Sequence, residues 1–271
     1  MLLSIIIPCY NDGPFLIDAV NSVMSCSIQE KEIIIVNDGS TDLETLKILT
    51  EFSFKNLNII SQENHGLGFS RNRGIAAAKG KYILTLDADN IITEKYLLTA
   101  IDCLDKENYA IVYSKPFFFG EDIAERKFKT QAFDGVELLY NNYIDACAIF
   151  RKSVWEEVGG YDETMPYNGN EDWEFWINCF LKQKKFKFID EELFGYRIKK
   201  ESMISNVSYQ KAVKNHEYIL LKHRIPLLGY IRELQVYKKF HDNDQQNYLR
   251  TSIKYFVTFV KKLFRGSAFL V

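Results

Sequence analysis

Short apolar runs alternate with amphipathic segments through the first ninety residues, and this alternation limits the possible folds more than any other feature of the chain. Apolar runs at residues 4–9, 32–36, 57–60 and 81–86 predict strands, and helical spacing predicts helices at 15–24, 42–52 and from the loop 64–68 to residue 78. Apolar strands that alternate with helices form a parallel sheet covered on both faces. The sequence therefore predicts an α/β domain whose ligands bind at the carboxyl ends of the strands.

The pattern is looser beyond residue 96. Strands are predicted at residues 111–113 and 146–150, and a helix at 171–181 carries an apolar stripe that includes Trp173 and Trp176. The chain is predicted to be helical and basic beyond residue 206, with breaks at Pro226 and Gly229. A second apolar stripe with lysines beside it is predicted at residues 250–265.

The balanced total charge conceals two parts of opposite sign. The chain has 34 Lys and Arg against 36 Asp and Glu, but residues 206–271 hold 12 basic and 4 acidic residues, which leaves 22 and 32 for residues 1–205. We therefore expect an acidic domain at 1–205 and a basic helical extension at 206–271. Packing on the acidic domain, an oligomer interface and contact with an anionic membrane surface all remain open for the extension, whereas a nucleic-acid partner is disfavoured.

The cysteines and the first residues indicate the compartment. Five cysteines are scattered without a C-x-x-C spacing, which argues against a disulfide framework or a zinc knuckle and favours a reducing environment. The apolar run at residues 2–7 is too short for a signal peptide or a membrane span. We expect a cytoplasmic protein, with peripheral contact at the inner face of the membrane as an alternative. Whether this is a whole protein or one domain of a longer chain stays open.

Asp87 and Asp89 follow the predicted strand at 81–86, and the period of two points both carboxylates to one side. Adjacent carboxylates repel one another unless a cation compensates them, and hard oxygen ligands suit Mg²⁺ or Mn²⁺ together with substrate phosphates. The alternative is a solvated turn, because Asp is common where strands end.

Two further segments predict nucleotide contacts. Asp38 ends the second strand, where an acidic residue can accept hydrogen bonds from a nucleoside, although Ser40 or Thr41 could simply cap the next helix. The glycines of the loop before residue 70, the helix N-terminus and Arg71 outline an anion site. His65 is interpreted as a loop residue without a role.

Glu171 and Asp172 open the helix with the tryptophan stripe. The free N–H groups and the dipole at a helix N-terminus favour an ionised carboxylate, and such a carboxylate could act as the general base toward a sugar hydroxyl. The structural alternative is an ordinary pair of dipole partners in a first helical turn.

Taken together and in this order, these pieces resemble the family 2 glycosyltransferases of the GT-A fold. The resemblance rests on SIIIPCYN at residues 4–11, VNDGSTD at 36–42, SRNRG at 70–74, DAD at 87–89, GGYD at 159–162 and ED at 171–172. It covers roughly residues 3–205. It implies a nucleotide-sugar half at about 1–90 and an acceptor half at about 91–205.

The resemblance implies roles on the donor side. Pro8, Tyr10 and Asp38 would hold the nucleoside, Arg71 would face the diphosphate, and Asp87 would lie on the ribose or sugar side. The donor would be a nucleotide-diphosphate sugar, with a UDP-sugar as the default and a thymidine diphosphate sugar as a second option.

The same resemblance implies the chemistry. Asp89 would bind Mn²⁺ or Mg²⁺, and Asp172, with Glu171 beside it, would deprotonate a hydroxyl of a glycan, glycoprotein or lipid-linked acceptor. Transfer would proceed by direct displacement with inversion at the anomeric carbon.

One position departs from the family pattern. Many members carry Y-R-x-H, whereas this chain has Lys199 at the place of the histidine, two residues after Arg197. A protonated lysine cannot ligate a metal but can pair with phosphate, so Arg197 and Lys199 are predicted diphosphate contacts and metal dependence is in question.

Two other function classes compete with this prediction. The first is a non-catalytic module of a larger protein that binds sugar nucleotides or glycans, and the acidic pairs at 87/89 and 171/172 argue against it. The second is a nucleotidyltransferase, for which a loop rich in glycine and lysine is expected after the first strand. Residues 11–14 (NDGP) do not supply that loop.

Overall fold

A computed structural model describes residues 2–121, 128–199 and 209–246 of the 271. The chain divides into two compact units, Met1–Leu221 and Lys222–Val271. The predicted boundary between residues 205 and 206, and the predicted apolar stripe at 250–265, lie outside the described residues.

The described part of the first unit is built on an eight-stranded sheet in the order β3-β2-β1-β4-β7-β6-β8-β5. Strands β1 to β4 are mutually parallel, β6 and β8 are parallel, and β5 and β7 run antiparallel to their neighbours. This confirms the predicted α/β class. The strand bounds are β1 Leu3–Cys9, β2 Lys31–Asp38, β3 Leu57–Gln62, β4 Tyr82–Thr85, β5 Ile91–Ile92, β6 Ile111–Gly120, β7 Ile149–Arg151 and β8 Phe186–Ile198.

Helices connect the strands and cover the sheet. In the first unit they are α1 Gly13–Met24, α2 Leu43–Glu51, α3 Leu67–Ala77, α4 Glu94–Lys106, α5 Gly135–Leu138, α6 Lys152–Val158, α7 Glu171–Leu181 and α8 Tyr209–Lys222, which ends at the unit boundary. Strand β1 is buried along its whole length, and the apolar faces of α1 and α4 contribute to the same core. Burial on both sheet faces explains why β1 and β2 each carry an unbroken apolar run, at Ile5–Ile7 and Ile33–Val36.

Strand β8 was not predicted. Its 13 residues include the acidic run Asp190-Glu191-Glu192, which is exposed and interrupts the apolar pattern. The register against β6 shifts at this run, because Ser114 pairs with Ile189 while Lys115 pairs with Glu192. A β-bulge of this kind interrupts the alternation of inward and outward side chains, so the sequence pattern does not predict the strand.

The second unit contains α9, Arg224–Gln246. The predicted breaks at Pro226 and Gly229 are wrong, because the helix runs through both positions. Pro226 lies in the first turn, where its missing N–H would have no helical partner. Among the described residues, no helix is both long and apolar enough to cross a membrane.

Candidate active site

Acidic and basic side chains from distant parts of the chain meet where β4 ends and α7 begins. Asp87 and Asp89 follow β4, and Glu171 and Asp172 form the first turn of α7. The predicted donor-side and acceptor-side carboxylates therefore face a common site, joined by the side chain of Arg71.

Arg71 lies on α3 and is only 1% exposed. One terminal nitrogen donates to Asp87 Oδ1 at 2.8 Å and the other to Glu171 Oε1 at 2.5 Å. Burial by itself would lower the pKa of Arg71, but the two carboxylates outweigh this effect and raise the pKa well above its usual value. Because both terminal nitrogens bind carboxylates, a contact of Arg71 with a diphosphate stays a prediction.

Asp89 is paired with Lys199. The Lys199 ammonium lies 2.7 Å from Asp89 Oδ2 and 3.0 Å from Asp12 Oδ1. Burial raises the pKa of Asp89. Burial by itself would lower the pKa of Lys199, but the carboxylates of Asp89 and Asp12 raise it above its usual value. Lys199 therefore keeps its charge beside the carboxylate.

Arg197 holds the loop that carries the two aspartates. Its Nε donates to the carbonyl oxygen of Asp89 at 2.9 Å, and its backbone N–H donates to the side chain of Asn90 at 3.0 Å. A terminal nitrogen pairs with Asp18 at 2.6 Å, and the guanidinium lies over the rings of Phe15 and Phe119. The phosphate contact of Arg197 stays a prediction, whereas its hydrogen bonds position the loop of Asp89 and Asn90.

The predicted nucleoside residues lie at the carboxyl ends of β1 and β2. Pro8 is buried within β1, whereas Tyr10, directly after β1, is 48% exposed. Asp38 is buried and accepts hydrogen bonds from the backbone N–H groups of His65 and Gly66 at 2.9 and 2.8 Å. Asp38 thus orders the loop that leads into α3.

The predicted N-cap of α2 is wrong, and Gly68 at the start of α3 has a packing role. The N-cap of α2 is Asp42, which accepts from Thr45 N at 2.7 Å, and not Ser40 or Thr41. A Cβ at Gly68 would lie 2.6 Å from the carbonyl oxygen of Asp162. The glycine is required because two backbone segments pack closely there.

Asp172 faces the site with a raised proton affinity. Asn142 Nδ2 donates to its two oxygens at 3.2 and 3.3 Å, and the Trp173 backbone N–H donates at 2.7 Å. Burial and the neighbouring Glu171 raise the pKa of Asp172 to about 7. The expectation that the helix N-terminus keeps this pKa low is wrong, because desolvation outweighs the N–H groups.

Sequence reasoning missed Asp145, which precedes β7. Burial and the charge of Asp87 raise the pKa of Asp145 to about 8, and Asp172 adds to the shift. Its own loop supplies a hydrogen bond, from the Cys147 backbone N–H at 2.8 Å. An acidic residue beside a predicted apolar strand was the only sequence signal for it.

A second residue missed by sequence reasoning is Asn215 on α8. It is fully buried, accepts from Tyr167 N at 3.1 Å, and donates to the carbonyl oxygens of Tyr167 and Gly169 at 3.1 and 2.8 Å. One amide group thereby fixes the loop that leads into α7. Its neighbour His216 lies against Trp173, with 4.8 Å between the ring centroids and a tilt of 30° between the rings.

The side chains around Asp89 do not fit a divalent cation as they are arranged. Asp87 is paired with Arg71, and Asp89 with Lys199. Within residues 2–121, 128–199 and 209–246, no group of three or more His, Cys, Asp or Glu side chains could hold a metal ion. The Mn²⁺ or Mg²⁺ expected at Asp89 stays a prediction.

Comparison with solved structures adds fold evidence. The chain is similar to S. aureus TarS 1-349, solved in complex with UDP-GlcNAc, with a TM-score of 0.65 and 20% identity over 79% of this chain and 66% of that one. A second TarS 1-349 structure, in complex with UDP, gives a TM-score of 0.63 at 21% identity, covering 82% of this chain and 72% of that one. The likeness confirms the predicted GT-A architecture.

Sequence comparison identifies the family. An uncharacterized glycosyltransferase of Methanocaldococcus jannaschii is 26% identical over 82% of this chain and 78% of its own length. The glycosyltransferase GlyG of Streptococcus pneumoniae is 30% identical over 72% of this chain, which spans only 58% of that relative. Residues 4–160 match the family described as "Glycosyl transferase family 2". The chain therefore belongs to glycosyl transferase family 2.

Proposed function

We propose that the protein transfers a sugar from a nucleotide-diphosphate sugar, with a UDP-sugar as the first choice, to a hydroxyl of a glycan, glycoprotein or lipid-linked acceptor. One observation carries the proposal. The Arg71 guanidinium bridges Asp87, on the predicted donor side, and Glu171, the residue next to the predicted base Asp172. The bridge supports the proposal because it holds the predicted donor-side and acceptor-side carboxylates in a fixed arrangement, and a group transfer between two bound molecules requires such fixed positions.

Family membership and the solved relatives support the choice of donor. TarS 1-349 has been solved with UDP-GlcNAc and with UDP, and its fold is shared with this chain. The exposed ring of Tyr10 at the end of β1 supports a stacking contact with a nucleobase. Asp38 orders the adjacent loop, which supports a nucleoside pocket at the ends of β1 and β2.

The proposed chemistry is a single displacement with inversion. The acceptor oxygen forms a bond to the anomeric carbon, the bond from that carbon to the diphosphate oxygen breaks, and the acceptor proton passes to Asp172. A carboxylate with a pKa of about 7 is a better proton acceptor than an ordinary aspartate and is still substantially ionised at neutral pH. Arg197 and Lys199 contribute positive charge on the side where the diphosphate departs.

Two substitutions test the proposed roles. We expect Asp172→Asn and Asp89→Asn to reduce sugar transfer at least about a hundredfold, because each removes a charge that acts in the transition state. Thermal unfolding is expected to show that both variants fold. Asp190→Asn, which removes an exposed carboxylate of β8, is the matched control and should keep wild-type transfer.

The alternative of a non-catalytic binding module gives a different result. Wild-type protein would then bind nucleoside diphosphates but neither hydrolyse nor transfer any donor sugar across a broad acceptor panel. Near-wild-type transfer in both Asp172→Asn and Asp89→Asn would instead leave the enzyme class intact and refute the proposed roles of these residues.

A further inference from the structure

We propose that the Lys199 ammonium is the resident cation of the diphosphate site, so that the protein binds its nucleotide donor without a divalent metal. The inference rests on the proposed function, since it concerns how the same donor is held. Lys199 Nζ lies between two carboxylates, 2.7 Å from Asp89 Oδ2 and 3.0 Å from Asp12 Oδ1. A charge-assisted pair at these distances already compensates the carboxylate expected to hold a metal.

Each aspartate of the pair after β4 has its own cation. Arg71 binds Asp87 at 2.8 Å, and Lys199 binds Asp89. Mg²⁺ binds carboxylate oxygens at about 2.0–2.1 Å and demands near-octahedral geometry. It would have to share Asp89 with an ammonium only a few ångströms away, and the repulsion between the two cations opposes its binding.

The surroundings of Lys199 hold it at this position. Its side chain is 17% exposed, and its ammonium lies 4.8 Å from the centroid of the Phe15 ring. Arg197, two residues earlier, projects to the same side of the chain and anchors the carbonyl oxygen of Asp89. The end of β8 therefore presents two cations to the loop of Asp87 and Asp89.

The two carboxylates that bind Lys199 differ in exposure. The side chain of Asp12 is 34% exposed and that of Asp89 is 20% exposed. When a donor binds, losing the ammonium contact therefore costs less free energy at Asp12, which is more exposed to water, than it would at Asp89. Lys199 can keep Asp89 and give the hydrogen bond now made to Asp12 to a phosphate oxygen, because an ammonium carries three N–H donors.

Calorimetric titration with UDP tests the inference without requiring transfer. For the wild type we expect the same affinity, within about threefold, in EDTA and in Mn²⁺. Lys199→Met should bind UDP at least about tenfold more weakly in EDTA, because a hydrogen bond to a charged group contributes about 1.5–3 kcal/mol. Lys184→Met is the control, since Lys184 is similarly shielded and pairs with Glu157 away from the site.

Lys199→His provides a second test, because its UDP binding is expected to depend on Mn²⁺ whereas that of the wild type is not. An imidazole is a metal ligand whereas an ammonium is not, so this variant should bind UDP weakly in EDTA and regain affinity when Mn²⁺ is added. Thermal unfolding of each variant checks that it is folded.

The outcomes separate this inference from the proposed function. UDP binding by the wild type that requires Mn²⁺ would overturn the resident cation and leave the proposed function standing. Unchanged UDP binding by Lys199→Met in EDTA would do the same. Failure of folded wild type to bind UDP, CDP, GDP or dTDP in either buffer would overturn both.

Discussion

The guanidinium of Arg71 binds Glu171, which lies 100 positions later in the chain, and also Asp87. Its burial makes it costly to remove, because the buried carboxylate of Glu171 and the partly exposed carboxylate of Asp87 would then lose their counter-charge. The pair of bonds also fixes the start of α7 relative to the end of β4. At the scale of single residues, the site is therefore an array of compensated charges, and within the described part of the chain no cation lies at ion-pair distance from Asp145 or Asp172.

Asp145 predicts how stability depends on pH. Its pKa in the folded protein, about 8, lies above the ordinary value of 3.8, so the native state holds a proton that the unfolded state releases as pH rises. Its contribution to stability is full below pH 4 and is lost as pH rises through 8. Each pH unit within that window changes the free energy of unfolding by up to about 1.4 kcal/mol.

Asp145→Asn removes this titration. We expect the loss of stability between pH 5 and pH 8, measured by urea unfolding, to be smaller in Asp145→Asn than in the wild type. Asp190→Asn, at an exposed position on β8, should keep the wild-type dependence. An equal loss in Asp145→Asn and wild type would contradict the raised pKa.

At the scale of elements, helix α8 supports the helix that carries the proposed base. Asn215 binds the loop at residues 167–170, and Tyr218 donates to Asp162 Oδ2 at 2.9 Å. The loop itself contains Gly169 at φ +95° and Asn170 at φ +69°, conformations that need outside support. The position of Asp172 thus depends on an element that follows it by more than thirty residues.

We expect Asn215→Ala to reduce transfer about tenfold or more while UDP affinity stays within about twofold of wild type. The loop before α7 would lose its amide partner, and small displacements of a catalytic group are costly, whereas the nucleoside residues lie elsewhere. Kinetic constants and calorimetric binding of UDP separate the two effects. Gln210→Ala, exposed on the same helix, is the control. Equal losses in transfer and UDP binding would point to general destabilisation.

At the scale of the whole molecule, the described site residues all belong to the unit Met1–Leu221. We expect a chain shortened to residues 1–222, which keeps α8, to bind UDP with the affinity of the full chain. A thermal shift titration measures this, since ligand binding to the native state raises the unfolding temperature by mass action. Loss of UDP binding by the folded, shortened chain would show that residues 223–271 are needed for donor binding.

Sequence patterns predicted those parts of the fold and of the site that depend on local order. Apolar runs that alternate with helical spacing predicted the parallel strands of the sheet, and parallel strands bring their carboxyl ends to one edge. Asp38, Asp87 and Asp89, which lie where such strands end, were therefore expected at the ligand-binding edge of the sheet. Strand β8 escaped prediction because its bulge at the acidic run breaks the pattern, and α9 continued through Pro226 because a proline is tolerated in a first turn.

The sequence alone determined the α/β class and the family, because these depend on residue types and their spacing. Only the tertiary structure decided which charges pair. Lys199 reaches Asp89 and Asp12, Arg71 joins Asp87 to Glu171, and Asn215 holds the loop before α7. Such contacts depend on how distant segments pack, and burial then sets the proton affinities of Asp145 and Asp172, which no local spacing records.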